Sequence, residues 1–325
     1  MILLVTGGAG YIGSIGVEAL VKREHTVIVI DNLQEGHREA LHSQALFYEG
    51  DYGDRSLLET IFGKYAVDAV IHFAADTAVE QSMSDPGRFF LNNVVNGITL
   101  LDVMRSYGCT RMIFSSTASI FGDPRYNPVD ENHPQVPINP YGESKLMFER
   151  VLDWYHHAHG LRFNALRYFN AAGASDALGD AKRHVTLLIP VIIQVLLGQR
   201  ERLQIFGNDY PTKDGTCIRD YVHVSDLIEA HILALETLDT YSNGKYNLGN
   251  GRGFTNLEVV KTVEMVSGKK VPFEFAARRP GDPVELIASS ELACQKLGWR
   301  PKYTRLEEIV ASAWEWYQKH PHGYK

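Results

Sequence analysis

The sequence predicts an α/β protein: a doubly wound, parallel sheet followed by a smaller, mixed α/β region toward the C-terminus. Three observations carry that reading. Short apolar runs alternate with segments of helical spacing from Met1 to about Phe169. Those runs are apolar almost throughout rather than at every second residue, as in strands covered on both faces. Beyond that point the alternation breaks up into loops rich in Gly, Pro and Asp, such as 207–215 and 278–283.

Taken in order, residues 2–5 form an apolar run ending in Thr6 and glycines, which reads as a buried strand. Residues 12–21 place Ile12, Ile15, Ala19 and Leu20 at helical spacing. A β-branched second strand, 26–30, ends at Asp31, and a third, 45–48, ends near Asp51. Residues 57–62 are helical and 69–73 form the fourth strand. Pro86 opens a long helical region through about Tyr107, since proline suits a first turn. The fifth strand, 111–114, runs into Ser115, Ser116 and Thr117; helix 141–157 and strand 162–169 follow. Helical patterns recur at 225–235, 255–266 and 306–318. The expected organisation is a first domain over 1–175, rejoined by about 220–250, and a smaller domain over 176–325.

A chain of 325 residues with 45% apolar and 22% charged residues suits one large or two unequal globular domains. The net charge of −7 and a pI of about 6.0 exclude the basic footprint of a nucleic-acid binder. Cys109, Cys217 and Cys294 are widely spaced and form no CxxC pair, which argues for a reducing compartment, no disulfide frame and no structural zinc. The most apolar stretch, 187–197, carries Pro190 and Gln194 and falls short of the roughly 20 residues a bilayer needs. The N-terminus enters a strand with no basic region before it, so a cytoplasmic protein without signal peptide is expected.

Gly7, Gly8, Gly10 and Gly13 lie between the first strand and the first helix and fit both G-x-x-G-x-x-G and G-x-G-x-x-G. One glycine permits the tight turn, another lets the backbone approach a pyrophosphate, and the last packs helix on strand. The anion then rests on the helix N-terminus. With 28 glycines in the chain, spacing alone says little; the placement between strand and helix carries the argument. Asp31 closes the second strand 18 residues after Gly13, where a carboxylate accepts from a ribose 2′-OH and repels a 2′-phosphate. No Arg or Lys follows before Arg38, which favours NAD over NADP.

Tyr141 and Lys145 are four apart and share a face of the predicted helix. An ammonium near a phenol stabilises phenolate and lowers its pKa, so the tyrosine can serve as a base. Tyr241 and Lys245 match the spacing too, but within a Ser-Asn-Gly stretch that reads as a turn. Ser115, Ser116 and Thr117 close the fifth strand, at the edge where open α/β sheets bind ligands.

With TGGAGYIG, SST, YGESK and RYFN in place, the chain resembles the extended short-chain dehydrogenase/reductase superfamily, a Rossmann-type fold. The segments IFGNDYPTKDGTCIRDYVHVSDL and ARRPGDPVEL resemble its UDP-hexose 4-epimerase branch, and the similarity covers nearly the whole chain. The resemblance implies interconversion of UDP-glucose and UDP-galactose by transient oxidation to a 4-keto sugar, with NAD staying bound. It implies Tyr141 as catalytic base, Lys145 as its modulator and a ribose contact, and Thr117 as the hydroxyl partner. Gly7, Gly10, Tyr11, Ile12 and Gly13 fall on NAD contacts, as do Asp31, Asn32, Leu33, Gln34, Glu35 and Gly36. So do Asp51, Tyr52, Phe73, Ala74, Ala75 and Asn92, with Phe169 near the nicotinamide. Asn170, Arg219, Arg279 and Asp282 match UDP-sugar contacts, beside Thr117 and Tyr141. Three positions depart from the pattern: Thr77 replaces a basic residue, Leu187 replaces Asn or His, and Leu286 stands where the family varies with sugar preference.

Other readings stay open at this point. UDP-N-acetylhexosamines, UDP-pentoses or UDP-glucuronate are alternative substrates. A dehydratase carries Asp-Glu after the Thr, where this chain has Ala118 and Ser119. A silent NAD-binding regulator needs no Tyr141/Lys145 pair. A homodimer is expected, with Phe89 and Phe90 in the core or on its face. His156, His157 and His159 read as solvated rather than metal-binding, His72 and His223 as core histidines, and Trp314, Trp316 and Tyr317 as packing of a terminal helix.

Overall fold

A computed structural model describes residues 1–279 and 281–324. Pro280, inside the ARRPGDPVEL segment, and Lys325 lie outside the described residues. The first part alternates β1 (Ile2–Thr6), α1 (Tyr11–Lys22), β2 (Thr26–Asp31), β3 (Leu46–Glu49), α2 (Arg55–Lys64) and β4 (Ala69–His72). It continues with α3 (Val79–Ser84), α4 (Pro86–Phe90), a π-helical segment Leu91–Asn96, α5 (Gly97–Ser106), β5 (Arg111–Thr117), α6 (Pro140–His159) and β6 (Arg162–Tyr168). The second part contains β7 (Asn170–Ala172), α7 (Leu188–Leu196), β8 (Leu203–Phe206), β9 (Ile218–His223), α8 (Val224–Glu236) and β10 (Gly244–Leu248). It ends with β11 (Gly253–Thr255), α9 (Asn256–Ser267), β12 (Phe273–Ala276), β13 (Glu285–Leu286), α10 (Glu291–Leu297) and α11 (Leu306–Lys319).

Seven parallel strands form the main sheet in the order β10-β6-β5-β4-β1-β2-β3. The continuous apolar runs follow from two-sided burial, because a strand's period of two sends alternate residues to opposite faces. Leu3 and Val5 pack with Ile15 and Leu20 of α1 and Leu227 and Ile228 of α8. Leu4, Ile28 and Ile30 pack on the other face with Leu58 of α2, Leu100 of α5 and Phe148 of α6. The remaining strands make a small sheet, with β9 paired to β7, β11 and β13, and a β8-β12 pair. Apolar faces of α7, α9 and α11 close over these, with Trp314, Trp316 and Tyr317 buried as expected. Among the described residues no helix is long and apolar enough to cross a membrane.

Two differences from the sequence reading have local causes. The long helix expected from Pro86 to about Tyr107 is interrupted by the π-helical segment. Its Asn93 is drawn inward: the side-chain amide donates to the Asp76 carbonyl (3.0 Å) and to Ser144 Oγ (3.0 Å), and Asn93 Oδ1 accepts from the Asp76 N–H (2.9 Å). One extra residue per turn re-aims side chains in this way. Phe89 is fully buried core, not an outer face. Helices α3, α7 and α10 went unassigned in the sequence reading; each is short, and α7 is too uniformly apolar to show a helical period. Tyr241 lies in a turn and Lys245 in β10, where its ammonium pairs with Asp153 (2.7 Å), so that second spacing match is not a helix face.

Candidate active site

The glycine turn sits at the C-terminal end of β1. Gly7 has φ +71°, and a Cβ there would lie 2.6 Å from the Ala74 nitrogen; one on Gly13 would lie 2.1 Å from the Gly7 carbonyl. Gly10 has open space, its nearest neighbour being the Gly7 oxygen at 3.4 Å. Helix α1 starts at Gly10 without a side-chain cap and with no acid in its first turn, so its leading N–H groups remain suited to an anion. Ile12 lies in that first turn, while the Tyr11 hydroxyl donates into the core to the Gly173 carbonyl (2.6 Å) and offers only its main chain to the crevice.

Asp31 accepts from the Ala9 N–H (2.9 Å) and the Leu33 N–H (2.8 Å). Burial raises its pKa and these two N–H groups oppose the rise. Leu33 takes φ +57° to make the turn, the Gln34 N–H bonds Asn32 Oδ1 (3.1 Å), and Glu35 pairs with His184 (2.6 Å). Gly36 packs against the Ala9 backbone, closing this loop onto the glycine turn. Across the sheet edge, Asp51 accepts from the Gly53 N–H (2.7 Å) and Asn96 (3.0 Å), and the Tyr52 hydroxyl bonds the Asn92 carbonyl. The N–H groups of Phe73 and Ala74 bond the Thr6 carbonyl, and Ala75 follows on the same loop after β4. Thr77 is exposed beyond it.

Helix α6 is started by Asn139, whose side chain accepts from the Gly142 N–H (2.8 Å), and by Pro140 in the first turn. A Cβ on Gly142 would lie 2.5 Å from the Ser119 carbonyl, so this glycine brings the helix start against the turn that follows β5. Tyr141 is thereby set near Thr117, both buried; the Thr117 hydroxyl accepts from the Ser119 N–H (3.1 Å) and donates to Ser119 Oγ (3.3 Å). Burial pushes the phenol's pKa up and the Thr117 hydroxyl pulls it down. The expected lowering by Lys145 is not what the geometry gives. Its ammonium donates to the Ser115 carbonyl (2.8 Å) and lies 4.6 Å over the Phe114 ring, and burial lowers its own pKa to about 7 against the pull of Glu149. Sequence reasoning missed His231, whose Nδ1 donates to the Leu227 carbonyl (2.8 Å), leaving Nε2 to accept from the Ser115 hydroxyl (3.1 Å). It also packs on Phe73, ring centroids 4.8 Å apart.

In the smaller sheet, Asn170 opens β7 and Arg219 lies on β9, strands in register with Asn170 opposite Tyr221. Asn170 donates to the Asp220 carbonyl (3.1 Å). Asp282 joins the two arginines, accepting from Arg219 (3.4 Å) and from Arg279 Nε (3.1 Å), and Arg279 lies 4.4 Å over the Phe206 ring. Asp220, another residue the sequence reading passed over, accepts from the N–H groups of Asn250 (2.8 Å), Gly251 (3.0 Å) and Ala288 (3.1 Å), while burial raises its pKa to about 7. Leu286 packs beside the cluster that contains Phe121 and Phe169, and Leu187 precedes α7. His72 bonds Thr6 Oγ1 (2.6 Å) and His223 caps α8 and bonds Ser312 (3.0 Å), both as satisfied core histidines. His156 and His157 bond backbone carbonyls. No group of three or more metal-ligating side chains occurs among the described residues.

A glycine turn, a strand-end carboxylate and a buried phenol at the C-terminal ends of parallel strands define a dinucleotide-binding α/β protein. The chain belongs to the NAD dependent epimerase/dehydratase family, whose model matches residues 3–249. It is 50% identical to a UDP-glucose 4-epimerase of Halalkalibacterium halodurans, over 100% of this chain and 98% of that one. A crystal structure of a UDP-glucose 4-epimerase superposes with a TM-score of 0.97 at 46% identity, with both chains fully covered. The Bifidobacterium longum UDP-glucose 4-epimerase in complex with NAD+ and UDP gives a TM-score of 0.95 at 34% identity, again with full coverage of both.

Proposed function

We propose that this chain inverts C4 of a UDP-hexose, interconverting UDP-glucose and UDP-galactose, with NAD as a resident cofactor. The observation that carries the reading is the buried Tyr141 phenol beside Thr117 at the C-terminal end of β5, on the sheet edge that also carries the glycine turn and Asp31. Residues 1–175 with 220–250 would hold the dinucleotide and the rest of 176–325 the UDP-sugar. The residues fit a dinucleotide: Gly10 leaves room at an uncapped helix start, and Asp31 is held by two N–H groups with lone pairs to spare for ribose hydroxyls. Gly7, Gly10, Ile12, Gly13 and the loop 31–36 would hold its adenosine half, and Asp51, Tyr52, Asn92, Lys145 and Phe169 would line the remainder. When bound, NAD supplies the acceptor that takes a hydride from C4 and returns it to the opposite face.

The C4–H of a hexose is not acidic, so inversion needs oxidation to a 4-keto sugar rather than direct proton removal. Tyr141 accepts the 4-OH proton during oxidation and gives it back on reduction, with the Thr117 hydroxyl sharing it. A phenol raised by burial is a poor base in the free protein, so lowering it would fall to the positive charge of the bound cofactor, with Lys145 held at the Ser115 carbonyl. Arg219 and Arg279 exchange Asp282 for the diphosphate, which then anchors the molecule while the sugar turns about it. Leu286, half-buried against the cluster that contains Phe121, leaves N-acetylated sugars open as a second reading. A homodimer is proposed from the exposed apolar residues Leu91, Val95 and Trp154.

The test incubates purified protein with UDP-glucose or UDP-galactose, and in parallel with N-acetyl, pentose and glucuronate analogues, adding no NAD. Interconversion of the hexose pair without supplied cofactor is expected. Hexose turnover that begins only once NAD is supplied and consumes it stoichiometrically, or turnover of only a different sugar, would overturn it.

A further inference from the structure

Ser115, Ser116 and Thr117 are consecutive at the end of β5, and each is tied to a different group. The Ser115 carbonyl accepts from Lys145 (2.8 Å), and Thr117, bonded to Ser119, lies beside Tyr141. Ser116 donates to Glu149 Oε1 (2.6 Å). Arg167, opposite Ser116 in the β5–β6 register, donates to both oxygens of the same carboxylate: Nε to Oε1 (3.0 Å) and Nη2 to Oε2 (2.6 Å). Both side chains are 1% exposed. Glu149 lies one helical turn after Lys145 and two after Tyr141 on α6.

A dry ion pair of this kind is weak evidence of stabilisation, because apolar residues of similar volume commonly serve as well or better. Its place beside the reacting residues suggests another use. The charged and titratable groups on the elements around Lys145 are Tyr141 and Glu149 on α6, His72 on β4, Arg167 and Tyr168 on β6, and His231 on α8. Burial lowers His72 to about 3 and His231 to about 4, so both are neutral at physiological pH, and burial holds the Tyr168 proton in place. Glu149 is the negative charge of this set.

We propose that Glu149 and Arg167 are positioning residues for the reacting centre: Glu149 keeps Lys145 in its ammonium form at the Ser115 carbonyl, and Arg167 locks the Glu149 carboxylate against Ser116. This rests on the reading of Tyr141 and Lys145 given above. Burial drives Lys145 toward the neutral amine, and Glu149 opposes it. Removing Glu149 alone leaves Arg167 as an uncompensated buried charge, so the informative variant removes both.

The experiment uses the NAD-containing protein as purified, labelled with 13Cε-lysine, and follows the Lys145 resonance against pH, assigned by its loss in K145R. The double variant E149Q/R167M is expected to lower the Lys145 midpoint by about one pH unit. The alkaline limb of kcat for UDP-galactose should move down with it. R167K, which retains the charge, should leave the midpoint where it is in the unaltered protein. E149Q/R167Q, closer in shape, repeats the test should R167M pack poorly. A folded double variant whose midpoint does not move, with kcat reduced evenly at all pH values, overturns the proposal and leaves the pair a structural one. A shifted midpoint in a protein that epimerises nothing upholds the electrostatic role and removes the proposed activity instead.

Discussion

At Tyr141 two influences oppose each other: burial holds the proton on the phenol, and the Thr117 hydroxyl favours the phenolate. Replacing Tyr141 with Phe removes the proton acceptor and keeps the ring that fills the site. Turnover should fall by roughly 10²–10⁴-fold while the purified protein still carries NAD. Turnover close to that of the unaltered protein would take the base role from this residue. Asp31 offers a second test at the same scale. Its carboxylate is fixed by the Ala9 and Leu33 N–H groups at the end of β2, where a 2′-phosphate would meet its charge. Asp31→Ser should narrow the preference for NAD over NADP, measured as the ratio of the two dissociation constants. An unchanged ratio would assign the preference elsewhere.

Among the elements, the turn from β1 into α1 separates two kinds of glycine. A Cβ on Gly13 collides with the Gly7 carbonyl at 2.1 Å, so Gly13→Ala must shift backbone and should lower the melting temperature and the NAD content together. Gly10 has φ −78° and a Cβ there would meet only the Gly7 oxygen at 3.4 Å, so Gly10→Ala should leave the melting temperature nearly unchanged and reduce the NAD retained, because a side chain at this glycine keeps the backbone from close approach to a pyrophosphate. Equal losses of stability in the two variants would refute the distinction. The start of α6 makes a separate point. Asn139 caps it and so fixes the height of Tyr141 above Thr117. Asn139→Ala should cost about 1 kcal/mol in chemical unfolding.

For the whole molecule, buried histidines give acid sensitivity a definite sign. His231 is lowered to about 4 from 6.5, so below about pH 6.5 the unfolded chain binds a proton that the folded one refuses until about pH 4. Its contribution to stability is therefore present above pH 6.5 and is lost on acidification through that window, at roughly 1.4 kcal/mol per pH unit. The melting-temperature advantage of the unaltered protein over His231→Gln should shrink between pH 7 and pH 5, whereas parallel curves would place His231 outside the acid response. The exposed Leu91, Val95 and Trp154 set the expectation for assembly: light scattering should give twice the chain mass, and Leu91→Glu with Val95→Glu should give the single chain.

The alternating apolar runs, the glycine turn, Asp31 and the Tyr141/Lys145 spacing are local signals, and the sequence alone determined from them the parallel sheet and the family. Strand and helix periods are written in neighbouring residues, so they can be read without the fold. Contacts between distant segments cannot. Only the tertiary structure joined Arg219 to Arg279 through Asp282, set His231 behind Ser115 and paired Glu149 with Arg167. It also reversed the expected effect at Tyr141, because desolvation depends on everything packed around a group, and no spacing along the chain records that.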